Sequence, residues 1–121
     1  MSPKPAPNAP PDRVAAYERL VAAVPDVERK GATMPYTSVN GNMFSYLDAS
    51  GSMALRLSES DRAAFVDRYS TTLHHAYGIV QKEYVTVPSD LVDDTERLLP
   101  WLKASHAYAL TLKAKPSKRR G

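Results

Sequence analysis

Three histidines are the first candidates for chemistry in this sequence, because imidazole can bind a metal or act as a general base. His74 and His75 are adjacent, and neighbouring residues on a strand or a helix point in different directions. His106 lies far along the chain and the chain has no cysteine, so the usual set of zinc ligands is missing. We therefore interpret the histidines as loop or surface residues, and we predict no metal and no cofactor.

A group of acidic residues is the second candidate, and its members are Asp90, Asp93, Asp94 and Glu96. These carboxylates could attract a hard cation, but the alternating oxygen ligands and the glycine of a calcium loop are missing. Helix capping and interaction with the helix dipole explain their positions better.

Nucleophilic catalysis and phosphate binding have no recognisable motif here. No serine lies in a Gly-x-Ser-x-Gly elbow, and the scattered glycines form neither a P-loop nor a dinucleotide-binding turn. The sequence therefore predicts that the chain is not an enzyme. An enzyme that acts on a small ligand beside the sheet stays as the least favoured alternative.

A set of cationic and aromatic residues is the best candidate for binding, and it consists of Arg29, Lys30, Tyr36, Lys82 and Tyr84. Strands that carry these residues could place guanidinium, ammonium and phenol groups on one face of a sheet. The interpretation that the residues themselves favour is a solvated face on which the tyrosine rings only pack.

The formal charge of +3 suggests nucleic-acid binding, so the position of the basic residues matters. Residues 113–121 carry five positive charges, whereas residues 12–112 contain ten basic against 13 acidic residues and carry a net charge of −3. Affinity for phosphates grows with the number that lysines and arginines neutralise. We therefore expect at most weak, salt-sensitive binding to nucleic acid through the basic C-terminal tail.

Composition divides the chain into a proline-rich arm at residues 1–11, a single domain at residues 12–112 and the basic tail at residues 113–121. The arm and the tail have too few apolar residues to offset the entropy of ordering, so both are predicted to be disordered. No segment approaches the length of a membrane span and no secretory signal is recognisable, which predicts a cytoplasmic protein without membrane contact.

The first half of the domain shows a helix followed by strands. Asp12 is predicted to cap a helix that ends before Pro25, in which apolar residues recur every three or four positions. Asn40-Gly41 predicts a two-residue type I′ hairpin turn between two strands. A turn at residues 48–52 leads into a third strand, and residues 27–34 are predicted to form a further one.

The second half alternates helices and a strand. Ser58 resembles an N-cap, with Asp61 three residues later, and predicts a helix from Glu59 to Tyr69. Residues 70–78 are predicted to be a loop, and residues 79–87 a strand that Pro88 ends. The main last helix is expected to start near Pro100, because proline is tolerated in a first turn.

These elements predict an α+β fold: a curved, mostly antiparallel sheet of about five strands with helices packed on it, in the order α-β-β-β-β-α-β-α. Trp101 is expected to anchor the last helix on the sheet, together with Leu98, Leu102 and Tyr108.

Four segments together resemble the N-terminal domain of TfoX/Sxy-type competence regulators. They are residues 30–47 (KGATMPYTSVNGNMFSYL), 53–57 (MALRL), 82–88 (KEYVTVP) and 98–102 (LLPWL). The resemblance covers about residues 13–112 and implies a small α+β domain with a curved antiparallel sheet. It also implies a role in transcriptional control of DNA uptake for the full regulators.

The sequence departs from the family pattern in two places. Residues 31–34 read Gly-Ala-Thr-Met where family members commonly have a segment like Met-Phe-Gly-Gly. The second, helical domain of the full regulators is not present in these 121 residues. We therefore expect a non-enzymatic binding or regulatory module that contacts another protein or pairs with itself as a homodimer, with an accessory nucleic-acid binder as the alternative.

Overall fold

A computed structural model describes residues 10–31, 35–48, 50–76 and 79–113 of the chain. The helices are α1 (Pro11–Ala22), α2 (Glu59–Tyr69), α3 (Ser89–Val92) and α4 (Thr95–Thr111). The strands are β1 (Tyr36–Val39), β2 (Asn42–Leu47), β3 (Met53–Arg56), β4 (Leu73–Ala76) and β5 (Ile79–Val87). The predicted proline-rich arm and basic tail lie almost wholly outside the described residues.

The five strands form one sheet in the order β1-β2-β3-β5-β4, and every neighbouring pair is antiparallel. The predicted α+β class and the five-stranded antiparallel sheet are therefore confirmed. β1 and β4 are the edge strands. The register shifts once between β1 and β2 and once between β4 and β5, and such irregularities bend and twist a sheet.

The hairpin turn between β1 and β2 is confirmed. Asn40 has φ 54° and Gly41 has φ 78°, and a type I′ turn requires positive φ at both of its central residues. Asparagine and glycine are the residues that adopt this conformation at least cost.

We expect Gly41→Val to destabilise the domain by about 1 to 3 kcal/mol, because a β-branched side chain is strained at positive φ. Urea unfolding monitored by circular dichroism measures this change. Gly41→Asn serves as the control, since asparagine tolerates positive φ. Equal stability of the valine variant and the parent chain would show that the turn does not need this conformation.

Both predicted N-caps fall close to helix starts, but only one of them caps. The Ser58 hydroxyl accepts a hydrogen bond from the Asp61 amide at 3.3 Å, and α2 begins and ends as predicted. Asp12, in contrast, lies inside the first turn of α1, which starts at Pro11. Proline needs no partner for its nitrogen in a first helical turn, so Pro11 belongs to the helix and not to the arm.

Two segments differ from the sequence-based expectation. Residues 70–78 were predicted to be a loop, but they contain the edge strand β4. Residues 27–34 were predicted to be a strand, whereas the described part forms one isolated bridge, in which Lys30 and Tyr36 exchange backbone hydrogen bonds of 2.8 and 2.9 Å. Residues 32–34 lie outside the described residues.

The last helix begins earlier than predicted. α4 starts at Thr95, where the Asp94 carboxylate accepts from the Arg97 amide at 3.3 Å, and Pro100 lies inside the helix. A proline there removes one backbone hydrogen bond, at a cost of about 3 kcal/mol. Leu98 and Leu102 flank it and are fully buried, and burial of such side chains gives an offset of similar size.

The main core lies between the helices and one face of the sheet. Every helix contributes to it, and its largest fully buried side chains include Tyr17, Phe44, Phe65, Met53, Leu55 and Leu102. Within the described residues, no helix is both long and apolar enough to cross a membrane.

Candidate functional site

The sheet carries a second, smaller cluster on the face opposite the helices. Along β3, Met53 and Leu55 belong to the main core, whereas Ala54 between them belongs to the second cluster, because successive side chains on a strand point to opposite faces. We call this group the tyrosine cluster. Its members are Tyr36, Met43, Tyr46, Ala54 and Tyr84.

Edge-on contacts between aromatic rings organise the tyrosine cluster. The Tyr46 ring lies 5.6 Å from the Tyr84 ring and 5.6 Å from the His74 ring, at interplanar angles of 76° and 89°. Such edge-to-face pairs add to the stabilisation from burial alone. Tyr46 and Tyr84 are buried, whereas Tyr36 and Met43 are only half-buried and keep part of their surface accessible.

A bulge in β2 positions a polar network beside this cluster. Thr37 pairs with Ser45 and Ser38 pairs with Met43, so Phe44 has no partner on β1. The Met43 carbonyl accepts hydrogen bonds from the Tyr84 hydroxyl at 2.8 Å and from Nη1 of Arg56 at 3.2 Å. The bulge therefore supplies a backbone acceptor for the hydroxyl of one cluster member, Tyr84, and for the guanidinium of a neighbour, Arg56.

Arg56 links the tyrosine cluster to the helix side of the sheet. Its Nε donates to the Glu83 carboxylate at 2.6 Å, and the Tyr108 hydroxyl of α4 donates to the same carboxylate at 3.2 Å. Burial alone would raise the pKa of Glu83, but Arg56 and then Tyr108 and Arg62 outweigh burial and lower the pKa. Glu83 is therefore ionised at neutral pH and holds Arg56 in place.

The Tyr84 hydroxyl is a donor and not a nucleophile at neutral pH. Burial raises the pKa of Tyr84 to about 12, although the nearby positive charge of Arg56 opposes this shift. Its proton is used in the hydrogen bond to the Met43 carbonyl.

The structure brings together only part of the predicted binding set. Tyr36 and Tyr84 lie in the same cluster. Lys30 lies beside them, because its backbone pairs with the backbone of Tyr36 and its Nζ donates to the Ser38 hydroxyl at 3.0 Å. Arg29 points elsewhere, with its Nε 3.1 Å from the Glu18 carboxylate of α1. Lys82 is exposed on β5.

Arg56 and His74 are the neighbours of the tyrosine cluster that sequence reasoning missed. Arg56 follows the alternation of β3 and so shares a face with Ala54, which is the one local signal that could have found it. His74 was interpreted as a loop or surface residue, but it is 3% exposed on β4. Its sequence neighbourhood lacks the apolar alternation that would have predicted a strand.

The remaining candidates for chemistry have structural contacts. His75 is exposed, and the His106 ring packs 5.4 Å from the Phe44 ring. Asp94 caps α4, as the sequence predicted for the acidic group, and Asp93 accepts from Arg13 at 2.5 Å. The described ranges contain no group of three histidine or acidic side chains placed to hold a metal ion.

Comparison with known proteins places this fold in a family. The family model described as the TfoX N-terminal domain matches residues 20–109, which is most of the 121-residue chain. No curated protein and no solved structure matches the chain. The matched range runs from within α1 to near the end of α4 and so includes the whole sheet. The chain belongs to the TfoX N-terminal domain family.

Proposed function

We propose that this chain is a non-enzymatic binding and regulatory module that acts through protein contacts, made by the tyrosine-cluster face of its sheet. The observation that supports this proposal best is the composition of that face. Tyrosine, methionine and arginine are the residue types enriched in the centres of protein interfaces and among their energetic hot spots, and this face combines them.

The distribution of exposure on this face also supports contact with a protein. The buried apolar residues of the helices lie in the main core on the other side of the sheet. Tyr36 and Met43 leave part of their side chains accessible, and both pack against the buried residues of the cluster, Tyr46 and Tyr84. A rigid aromatic surface loses little conformational entropy when a partner covers it.

The polar side chains beside the tyrosine cluster are hydrogen-bonded within the fold, which fits a binding role better than a catalytic one. Arg56, Glu83 and Tyr84 hold one another and the β2 bulge through hydrogen bonds. A general acid or base needs to reach a substrate proton, and these groups already use their donors and acceptors within the fold. The partner in this proposal is another protein or a second copy of the chain in a homodimer.

Met43→Glu is expected to weaken the protein contact at least about tenfold, since a buried unpaired charge in an interface costs more than the 1.4 kcal/mol that this factor represents. Sedimentation across a concentration range measures self-association, and co-purification from the native cell measures other partners. Tyr36→Ala should act in the same direction through lost aromatic contact.

Val80→Glu is the matched control, because Val80 is an exposed apolar residue, 41% accessible, outside the cluster. Melting temperatures of all variants check that the fold is intact. Unchanged association of the Met43 and Tyr36 variants would contradict the proposal. So would salt-resistant, sequence-selective DNA binding by a chain truncated after Leu112, which lacks the basic tail and would have to bind DNA through its folded surface.

A further inference from the structure

His74 is a buried titratable group that the proposed binding surface does not require. Its side chain is 4% exposed, and Nδ1 lies 2.9 Å from the Thr86 hydroxyl of β5. The other nitrogen, Nε2, is buried without a hydrogen-bond partner, although it lies 3.4 Å from Oδ2 of Asp48. This arrangement is close enough for electrostatic interaction and too poorly aligned for a hydrogen bond.

The Asp48 carboxylate is fixed by its own turn. Its Oδ1 accepts from the backbone amides of Ser50 and Ser52, each at 3.0 Å, and from the Ser50 hydroxyl at 2.6 Å. Oδ2 is left facing the imidazole. A fixed negative charge there favours the proton of the neutral ring on Nε2, so that Nδ1 accepts from the Thr86 hydroxyl.

The groups around the ring come from four elements. Asp48 approaches from the turn after β2, the Tyr46 ring from β2, Thr86 from β5, and His75 is the other titratable side chain of β4. The Asp48 carboxylate favours an imidazolium, a proton on His75 disfavours it, and the Thr86 hydroxyl carries no charge. A second proton would have to occupy Nδ1, which requires the Thr86 hydroxyl to reverse its direction.

β4 is the element most easily released by such a change. It is an edge strand that, in the described ranges, is paired on one side only, with β5. The register between them is already irregular between Leu73 and His74. Separation of β4 would hydrate His74 and withdraw the half-buried Leu73 from the edge of the main core, while the other strands and the helices keep their contacts with one another. Partial openings of this kind are typical of the less stable parts of a fold.

We propose that His74, set between Asp48 and Thr86, is a pH-sensitive latch on edge strand β4: the neutral ring holds the strand in the sheet, and protonation releases it. This inference does not depend on the function proposed for the tyrosine cluster.

The direction of the pH response follows from the difference in the pKa of His74 between the closed and the opened strand. Burial lowers the pKa of His74, the nearby Asp48 carboxylate raises it by less, and His75 lowers it further, so the pKa is below its usual 6.5. The opened strand therefore binds more protons than the closed one below pH 6.5. The contribution of His74 to the stability of the closed strand is complete above about pH 6.5 and decreases as the pH falls. The equilibrium constant for opening rises by at most about tenfold for each pH unit.

Amide hydrogen exchange by NMR, corrected for intrinsic rates, tests the latch between pH 7.5 and 5. We expect the protection of the β4 amides to fall several-fold in the parent chain while the α4 amides change much less. In His74→Gln the β4 protection should no longer depend on pH, because glutamine does not titrate. The control His75→Gln, at the exposed neighbouring position, should retain most of the dependence.

A direct titration of the His74 ring in the parent chain, followed by its Cε1 proton shift, completes the test and needs no variant. A midpoint below that of the exposed His75 supports the latch. A midpoint at or above it would overturn the proposal, as would equal loss of protection in β4 and α4 or an unchanged pH dependence in His74→Gln. If His74→Gln does not fold, the titration and the exchange data of the parent chain decide the question.

Discussion

Phe65→Ala is expected to destabilise the domain by about 3 to 5 kcal/mol, which is a large part of the stability of a domain of this size. Phe65 is the buried residue of α2 and is fully inaccessible. Its ring lies 4.8 Å from the Tyr69 ring and 5.0 Å edge-on to the Trp101 ring of α4. Truncation removes both ring contacts and leaves a cavity where α2 meets α4.

Chemical denaturation followed by tryptophan fluorescence measures this effect, because Trp101 is the one tryptophan of the chain and its ring contacts Phe65. Asp67→Ala is the control, because Asp67 is exposed on the same helix. A loss below about 1 kcal/mol, within the range of surface substitutions, would show that α2 contributes little to the core.

The Trp101 contact shows where sequence reasoning reached its limit. The apolar stripe on the last helix predicted that Trp101 anchors it on the sheet. Leu98 and Leu102 are indeed fully buried in the main core, but Trp101 is half-buried and packs on α2, where its Nε1 donates to the Tyr69 hydroxyl at 3.2 Å. A periodic pattern identifies the buried side of a helix, but it does not say which element covers each residue.

Features that depend on a few neighbouring residues were predicted well. Asn40-Gly41 determines its turn through the φ angles that these two residues can adopt, and Ser58 caps α2 through an amide three residues away. β4 was missed for the opposite reason. His74 is buried by residues distant in sequence, and two adjacent histidines give no alternation of apolar and polar positions.

The candidate site was predictable to the extent that it follows strand alternation. Strand alternation allowed the residues of the candidate binding set to share one face, and of these Tyr36 and Tyr84 lie in the tyrosine cluster. The network around Arg56 was not predictable, because it depends on the bulge that frees the Met43 carbonyl and on Glu83, 27 residues away in sequence. Such contacts exist only once the strand register is known.

Tyr46 connects the two proposals physically. Its ring contacts Tyr84 on one side and His74 on the other, both at 5.6 Å. Release of β4 would remove the His74 ring from this stack. The proposed protein contact does not require His74, but opening of β4 would change the edge of the tyrosine cluster at which Tyr46 lies.

Gly51→Ala is expected to cost about 2 to 5 kcal/mol, because two separate penalties combine at this position. Gly51 has φ 93°, which strains any residue with a side chain. A Cβ atom there would also lie 2.9 Å from Cγ of Arg13 and 3.1 Å from Cδ of Pro10, at the start of α1. Arg13 cannot move freely, since its guanidinium binds Asp93 at 2.5 Å and the Ser89 carbonyl at 3.3 Å.

A double-mutant cycle with Arg13→Ala separates the two penalties, because alanine at position 13 has no Cγ to collide with the new methyl group. We expect Gly51→Ala to cost at least about 1 kcal/mol less in the Arg13→Ala background than in the parent chain, with the backbone strain and the Pro10 contact as the remainder. Urea unfolding of the four chains measures each corner of the cycle. Additive effects would mean that the new methyl group does not collide with the Arg13 side chain, and the whole cost of Gly51→Ala would then come from the positive φ and the Pro10 contact.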